Sequence, residues 1–199
     1  MRPGLGKKAG ILGVPLGFGA GQTGSELGVN AMRLSKIRGR SLAEHIRSLG
    51  YEVIDHGDAT IVLPESEDAN ENPKHLEAML ASSENIFRAV ANILAHGEFP
   101  VILGGDHAIA IPTFSAVASH YHAKGEEIGL IWFDAHADIN TPETSPSGNI
   151  HGMPLATLLG LGHSSLVNIG GAGPKLRAEN VALIGIRTLD EQEKKMLKK

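Results

Sequence analysis

The chain has 199 residues, 42% of them hydrophobic, which is enough for one domain with a sizeable core and leaves no compositional sign of disorder. A formal net charge of -4 and a pI near 6.2, with no dense Lys/Arg block before the C-terminus, argue against nucleic acid or an anionic membrane as the main partner and point to small molecules. Cysteine is absent, which excludes disulfides, thiolate metal sites and cysteine nucleophiles; any metal must be held by nitrogen and oxygen. Residues 1–10 contain no signal-peptide apolar stretch and no run reaches membrane-spanning length, so a soluble cytoplasmic protein, a single domain over residues 1–199, is the expectation.

In chain order, AGILGVP (9–15) reads as a short buried strand, followed by the glycine-rich turn GFGAGQTG. Leu27 to Ile37 and Ser41 to Leu49 carry apolar residues at helical spacing, interrupted by Gly39 and stopped by Gly50, and YEVIDHGD reads as a second strand. Pro64 to Pro73 is acidic and polar, an exposed loop. Leu76, Met79, Leu80, Phe87, Val90 and Leu94 form the apolar stripe of a strong helix ending near Gly97, and FPVILGGDH is a third strand that turns polar at Gly104. A helix over Ala108 to Lys124 follows, with Pro112 tolerable only near its first turn. Gly129 to Phe133 is the fourth strand, apolar and bulky as a strand buried on both faces requires. Beyond it come a Pro/Ser/Gly loop, a short helix at Pro154 to Leu159, a glycine-rich stretch, a fifth strand VALIGIR, and a helical start at Asp190. Strands alternating with helices imply an α/β fold with a right-handed parallel sheet.

The chemistry concentrates in GLIWFDAHADIN (129–140), where an apolar strand ends in Asp134, His136 and Asp138 at alternate positions. In extended chain, positions i, i+2 and i+4 point to one side, so two carboxylates and an imidazole can converge with only Ala135 and Ala137 between them. Ligands of α/β sheets sit at the carboxyl ends of strands. His107, after the third strand, lies at the same sheet edge. Four such N/O groups suit Mn²⁺, Mg²⁺, Fe²⁺ or Zn²⁺, and an Asp134 shared between two ions gives a two-metal hydrolytic centre. His151 follows a flexible-looking loop, close enough to fold back over the site as acid, base or proton shuttle, or to stand in water as a plain loop histidine. Gly19, Gly21 and Gly24 also fit G-x-G-x-x-G, with Asp55 ending the next strand; the readings are a dinucleotide site or a plain turn. A serine-hydrolase reading fails for want of G-x-S-x-G.

Taken together, GGDH (104–107), DAHADIN (134–140) and TSPSGNIHGMP (144–154) resemble the ureohydrolase family, the last stretch its arginase branch, and GVPLGFGAGQTGSELG and LIGIR (183–187) extend the likeness nearly end to end. The resemblance implies a three-layer α/β/α fold of the arginase/deacetylase type. It implies hydrolysis of L-arginine to L-ornithine and urea by a binuclear manganese-activated hydroxide, in a homo-oligomer, usually a trimer or hexamer. By the same resemblance His107 and Asp138 match ligands of one Mn²⁺, His136 a ligand of the other, and Asp134 a bridging carboxylate. His151 matches the proton-shuttling histidine. Asn140, Ser147 and Asn149 match the loop that recognises the α-carboxylate, and Asp190 and Glu193 the acids near the α-amino group. Asp138 and His151 are the catalytic candidates.

Two departures bear on activity. Ala108 stands where the family commonly has Ser. The family's D-x-D strand motif and later Glu do not occur before Lys199, so a chain lacking its C-terminal strands, with weak metal binding and exposed apolar edges, is expected. The alternatives are a truncated, non-catalytic binding or assembly module and another ureohydrolase, such as agmatinase, whose substrate lacks the α-carboxylate.

Overall fold

The computed structural model describes residues 7–65 and 71–198. Part of the acidic loop expected over residues 64–73 therefore lies outside the described residues. The elements are β1 (Lys8–Val14), α1 (Gly28–Leu34), β2 (Lys36–Ile37), β3 (Arg40–Ser41), α2 (Leu42–Ser48), β4 (Glu52–Asp58), α3 (Leu76–Ala95), β5 (Glu98–Gly104), α4 (Ala110–His122), β6 (Leu130–Phe133), α5 (Pro154–Leu158), α6 (Ser164–Val167), β7 (Val181–Ile184) and α7 (Glu191–Met196). No described helix is long and apolar enough to cross a membrane.

The five principal strands pair in parallel, as the alternation with helices requires. They fall into two hydrogen-bonded groups, β4-β1-β5 and β6-β7, with β5 and β6 not paired to each other among the described residues. β1 is buried along almost its whole length because β4 and β5 flank it. Its Leu12 and Val14 join Met79, Ile86, Val90 and Ile93 of α3 and Ile111 of α4 in the main core. The stripe expected on α3 faces inward and supplies most of that core. A second cluster brings Leu130 and Trp132 of β6 against Leu155 and Leu158 of α5.

The strand expected to be buried on both faces is buried on one. Leu130 and Trp132 point into the second cluster, whereas Ile131 is 70% and Phe133 81% exposed, because helices cover only one side of the β6-β7 pair. Ile184 of β7 and Phe99 of β5 are exposed as well. Two elements were hidden in the sequence. The Leu27 to Ile37 pattern holds only seven α-helical residues, because Arg38 and Gly39 adopt left-handed φ of 51° and 79° and close the β2-β3 hairpin. The glycine-rich stretch contains α6. α2 starts at a capping box in which Ser41 accepts from Glu44 N and the Glu44 carboxylate accepts from Ser41 N.

Candidate metal centre

β5 and β6 end at the same rim, and the turns that follow them carry the ligands. After Gly104, the N–H of Gly105 donates to the Val14 carbonyl at 3.1 Å and that of Asp106 to the Leu16 carbonyl at 2.8 Å, which fastens the GGDH turn to the end of β1. The approach is close. A Cβ on Gly105 would stand 1.8 Å from the Leu16 oxygen, so only glycine fits. Asp106 then caps a 3-10 turn over His107–Ile109, its Oδ1 accepting from Ala108 N at 2.9 Å. That turn aims His107 at the end of β6.

His107 Nδ1 lies 2.7 Å from Asp138 Oδ2 and 3.1 Å from Asp134 Oδ2. One ligand atom from each of His107, Asp134 and Asp138 falls within 4.8 Å of the others. Convergence does not arise from extended geometry, because β6 stops at Phe133. The chain bends over 134–136, and Asp138 takes a left-handed φ of 49°, a conformation that costs a non-glycine residue about 1–3 kcal/mol. The surroundings hold it there: the carbonyl of Asp138 accepts from Leu155 N at 2.9 Å, and Asn140 N donates to the Gly152 carbonyl at 3.2 Å.

Electrostatics agree with a cation site. Burial opposes charge on His107, yet its hydrogen bond to Asp138 and the charges of Asp138, Asp134 and Asp106 outweigh that and raise its pKa above the ordinary histidine value. The two carboxylates that favour a proton on His107 would equally favour a divalent cation, which competes with that proton for the imidazole nitrogen. Two carboxylates and one imidazole form a hard donor set suited to a first-row divalent metal, so the residues present fit such an ion.

The remaining candidates separate. His136 stays outside the triad, its side chain 59% exposed and its Nδ1 3.4 Å from Asp134 Oδ1. His151, on a 3-10 turn over Ile150–Gly152, lines the same cleft, as do Asn140, Ser147, Asp190 and Glu193. Asn149 is not among the cleft walls; its Nδ2 donates to the Ala20 carbonyl at 3.1 Å. Ser147 Oγ accepts from Asn149 N at 3.2 Å, and Ser145 Oγ from Gly148 N at 3.0 Å, which fixes the loop's turn. Asn140 is buried; its Nδ2 donates to Asp190 Oδ2 at 2.7 Å and its Oδ1 has no partner.

Asp190 and Glu193 form the N-terminal cap of α7, a capping box in which Asp190 Oδ1 accepts from Gln192 N and Glu193 N, and Glu193 Oε2 accepts from Asp190 N. Partial burial works against the charge of Asp190. The N–H groups of Glu193 and Gln192 and the amide of Asn140 prevail and hold its pKa below the usual range. A depressed carboxylate contributes stability above its unfolded pKa and loses it as pH falls through the folded value. Asp190→Ala is therefore expected to cost about 0.5–2 kcal/mol at pH 7. Urea denaturation of both proteins in acid, below the ordinary aspartate pKa, checks the sign: the difference shrinks there, and an undiminished difference would refute the role of the charge.

Three residues escaped the sequence reading. Trp132 stacks on His107, with ring centroids 4.4 Å apart and planes at 25°; its place two residues before Asp134 was the available signal. Thr188 lines the cleft. Asp106 is buried beside the ligand turn, and its position between Gly105 and His107 pointed to a cap. The dinucleotide reading falls: Gly19 and Gly21 pack against Asp106 and Asn149, and Asp55 is engaged by Arg33 at 2.9 and 3.0 Å.

Comparison with known proteins agrees with this geometry. The model of the Arginase family matches residues 7–199. An arginase of Bacillus caldovelox is 45% identical over 194 residues, covering 96% of this chain and 62% of the relative. Its native structure at pH 5.6 superposes with a TM-score of 0.87 at 44% identity, over 96% of this chain and 62% of that one. The Entamoeba histolytica arginase in complex with L-ornithine superposes with a TM-score of 0.80 at 27% identity, over 96% and 62% of the two chains. The chain thus spans about 62% of the length of the relatives it matches.

Proposed function

The chain belongs to the arginase family, and on that premise we propose that its cleft serves the hydrolysis of L-arginine to L-ornithine and urea with Mn²⁺. The observation that carries the reading is the convergence of His107, Asp134 and Asp138 within 4.8 Å at the rim where Asn140, Ser147, His151, Asp190 and Glu193 gather. Kinship supports it further, since the relatives are named arginases and one of them is held in complex with L-ornithine.

In this reading His107, Asp134 and Asp138 would hold one Mn²⁺, and His136 with Asp134 would serve a second. When bound, the metal supplies Lewis acidity and charge compensation that neutral water attacking a guanidinium lacks. The residues of the chain do the rest. His151 faces the cleft and moves a proton to the leaving amine through its imidazole. Asp190 and Glu193 present negative charge to the α-ammonium. The amide group of Asn140 and the hydroxyl of Ser147 serve the α-carboxylate, with Asn149 tying their loop to the Ala20 carbonyl, which gives the site its means of distinguishing L-arginine from agmatine. On the same family resemblance the reading includes a cytoplasmic homo-oligomer, a trimer or hexamer.

The test is urea release by this 199-residue polypeptide, with Mn²⁺ and either L-arginine or agmatine as substrate. The expected result is Mn²⁺-dependent release, slow because only three ligands converge, that favours L-arginine. Preference for agmatine would move the assignment to another ureohydrolase. A second reading, a non-catalytic binding or assembly module, is favoured by the exposure of His136 outside the triad. Mn²⁺ uptake without any urea release, together with association with a longer arginase subunit on size exclusion, would select it.

A further inference from the structure

We propose that Asp106 is a positioning residue whose buried carboxylate holds the glycine-rich segment 17–21 in place, and that this segment in turn sets the position of Asn149 and the turn bearing His151. The part that concerns specificity rests on the arginase reading above; the mechanical part does not.

Asp106 is 6% exposed. Its Oδ1 is taken by Ala108 N, and Gly19 packs against both carboxylate oxygens, which a Cβ there would meet at 2.8 and 3.0 Å. Its Oδ2 is buried with no hydrogen-bond partner of its own. A buried carboxylate with an unfilled lone pair favours any main-chain dipole brought towards it, which draws the segment down onto the GGDH turn. Shape enforces the same contact. A Cβ on Gly19 would stand 2.8 Å from Asp106 Oδ1 and 2.9 Å from the Ala108 methyl.

On its other side the segment meets the substrate loop. The Ala20 carbonyl accepts from Asn149 Nδ2 at 3.1 Å, and a Cβ on Gly21, at φ +65°, would stand 2.9 Å from that same nitrogen. Asn149 precedes the turn over Ile150–Gly152 that carries His151. The path therefore runs from Asp106, next to the ligand His107, through two glycine contacts to the loop that reads the α-carboxylate. It fixes the spacing between the metal edge and the loop, which metal ligation alone leaves free. The G-x-G pattern is accounted for by two close approaches of protein to protein.

Gly19→Ala is the clean disruption, because Gly19 does not use the left-handed backbone region and alanine adds only the clashing methyl. Asp106→Asn removes the charge at nearly constant shape. In the metal-free chain, amide hydrogen exchange of residues 145–152 is expected to quicken by about tenfold or more in both variants, with α3 unchanged. With Mn²⁺ present, calorimetry is expected to show L-arginine affinity reduced by about tenfold and agmatine affinity by less than twofold, the scale at which residues supporting a site act. Unchanged exchange at 145–152, or acceleration spread equally over α3, overturns the proposal. Equal losses for the two ligands overturn its specificity arm. If the wild-type chain binds neither ligand, the arginase reading fails, and the exchange measurement still decides whether Asp106 and the segment hold the loop.

Discussion

On the proposed metal reading, Asp138→Ala is expected to weaken Mn²⁺ binding by the chain more than about 100-fold in a calorimetric titration. Asp138 supplies the shortest contact in the triad, 2.7 Å to His107 Nδ1, and it is buried to 7% exposure. Its removal leaves one imidazole and one carboxylate, and an exposed His136 that reaches only Asp134. Outer-shell changes at metal sites cost roughly 10–100-fold in affinity, so loss of a ligand is expected to exceed about 100-fold. Asp138→Asn keeps the size of the side chain but removes the charge that holds the site together, and it is expected to fall between the two. Retention of affinity within tenfold in the alanine variant would remove Asp138 from the ligand set.

Gly105→Ala is expected to be the most damaging single methyl among the described glycines. The added carbon would lie 1.8 Å from a main-chain oxygen, Leu16 O, and no rotamer change relieves a clash with backbone. Overpacking costs about 1–3 kcal/mol and occasionally more, and the rigidity here places the effect at about 3 kcal/mol or above. For a domain of this size that corresponds to a fall in Tm of roughly 6–12 °C. Thermal unfolding followed by circular dichroism measures it, with Gly152→Ala as the control, because nothing lies within 4 Å of a Cβ there. A Tm within 2 °C of wild type would show that the GGDH turn is not locked to the end of β1.

Much of this site was legible before any coordinates. Apolar runs that turn polar at one residue marked the ends of β5 and β6, and His107, Asp134 and Asp138 were read from those switch points. The stripe of α3 was equally plain, because a twenty-residue amphipathic helix leaves a long periodic signal. What escaped depended on contacts between distant segments. Nothing local shows that β5 and β6 remain unpaired, or that Ile131 and Phe133 face outward. The left-handed turn at Asp138 was also silent, since aspartate tolerates several backbone regions and the carbonyl contact that holds it comes from Leu155. Alternation along an extended strand gave the right neighbourhood for His136 but placed it with the triad. The glycines at 19 and 21 carried a strong pattern with two readings, and only their contacts with Asp106 and Asn149 separate them.

The stacking of Trp132 on His107 gives the molecule an intrinsic optical reporter. Trp132 is the only tryptophan in the sequence, it is 3% exposed, and its indole nitrogen has no hydrogen-bond partner. All indole emission therefore originates from one buried ring whose stacked neighbour is the imidazole of His107, the histidine proposed as a metal ligand. A proton, a diamagnetic ion and a paramagnetic ion on that imidazole quench an adjacent indole to different extents. Occupancy at the rim of β5 and β6 is thus written into the chain's own fluorescence, with no label between the probe and the ligand.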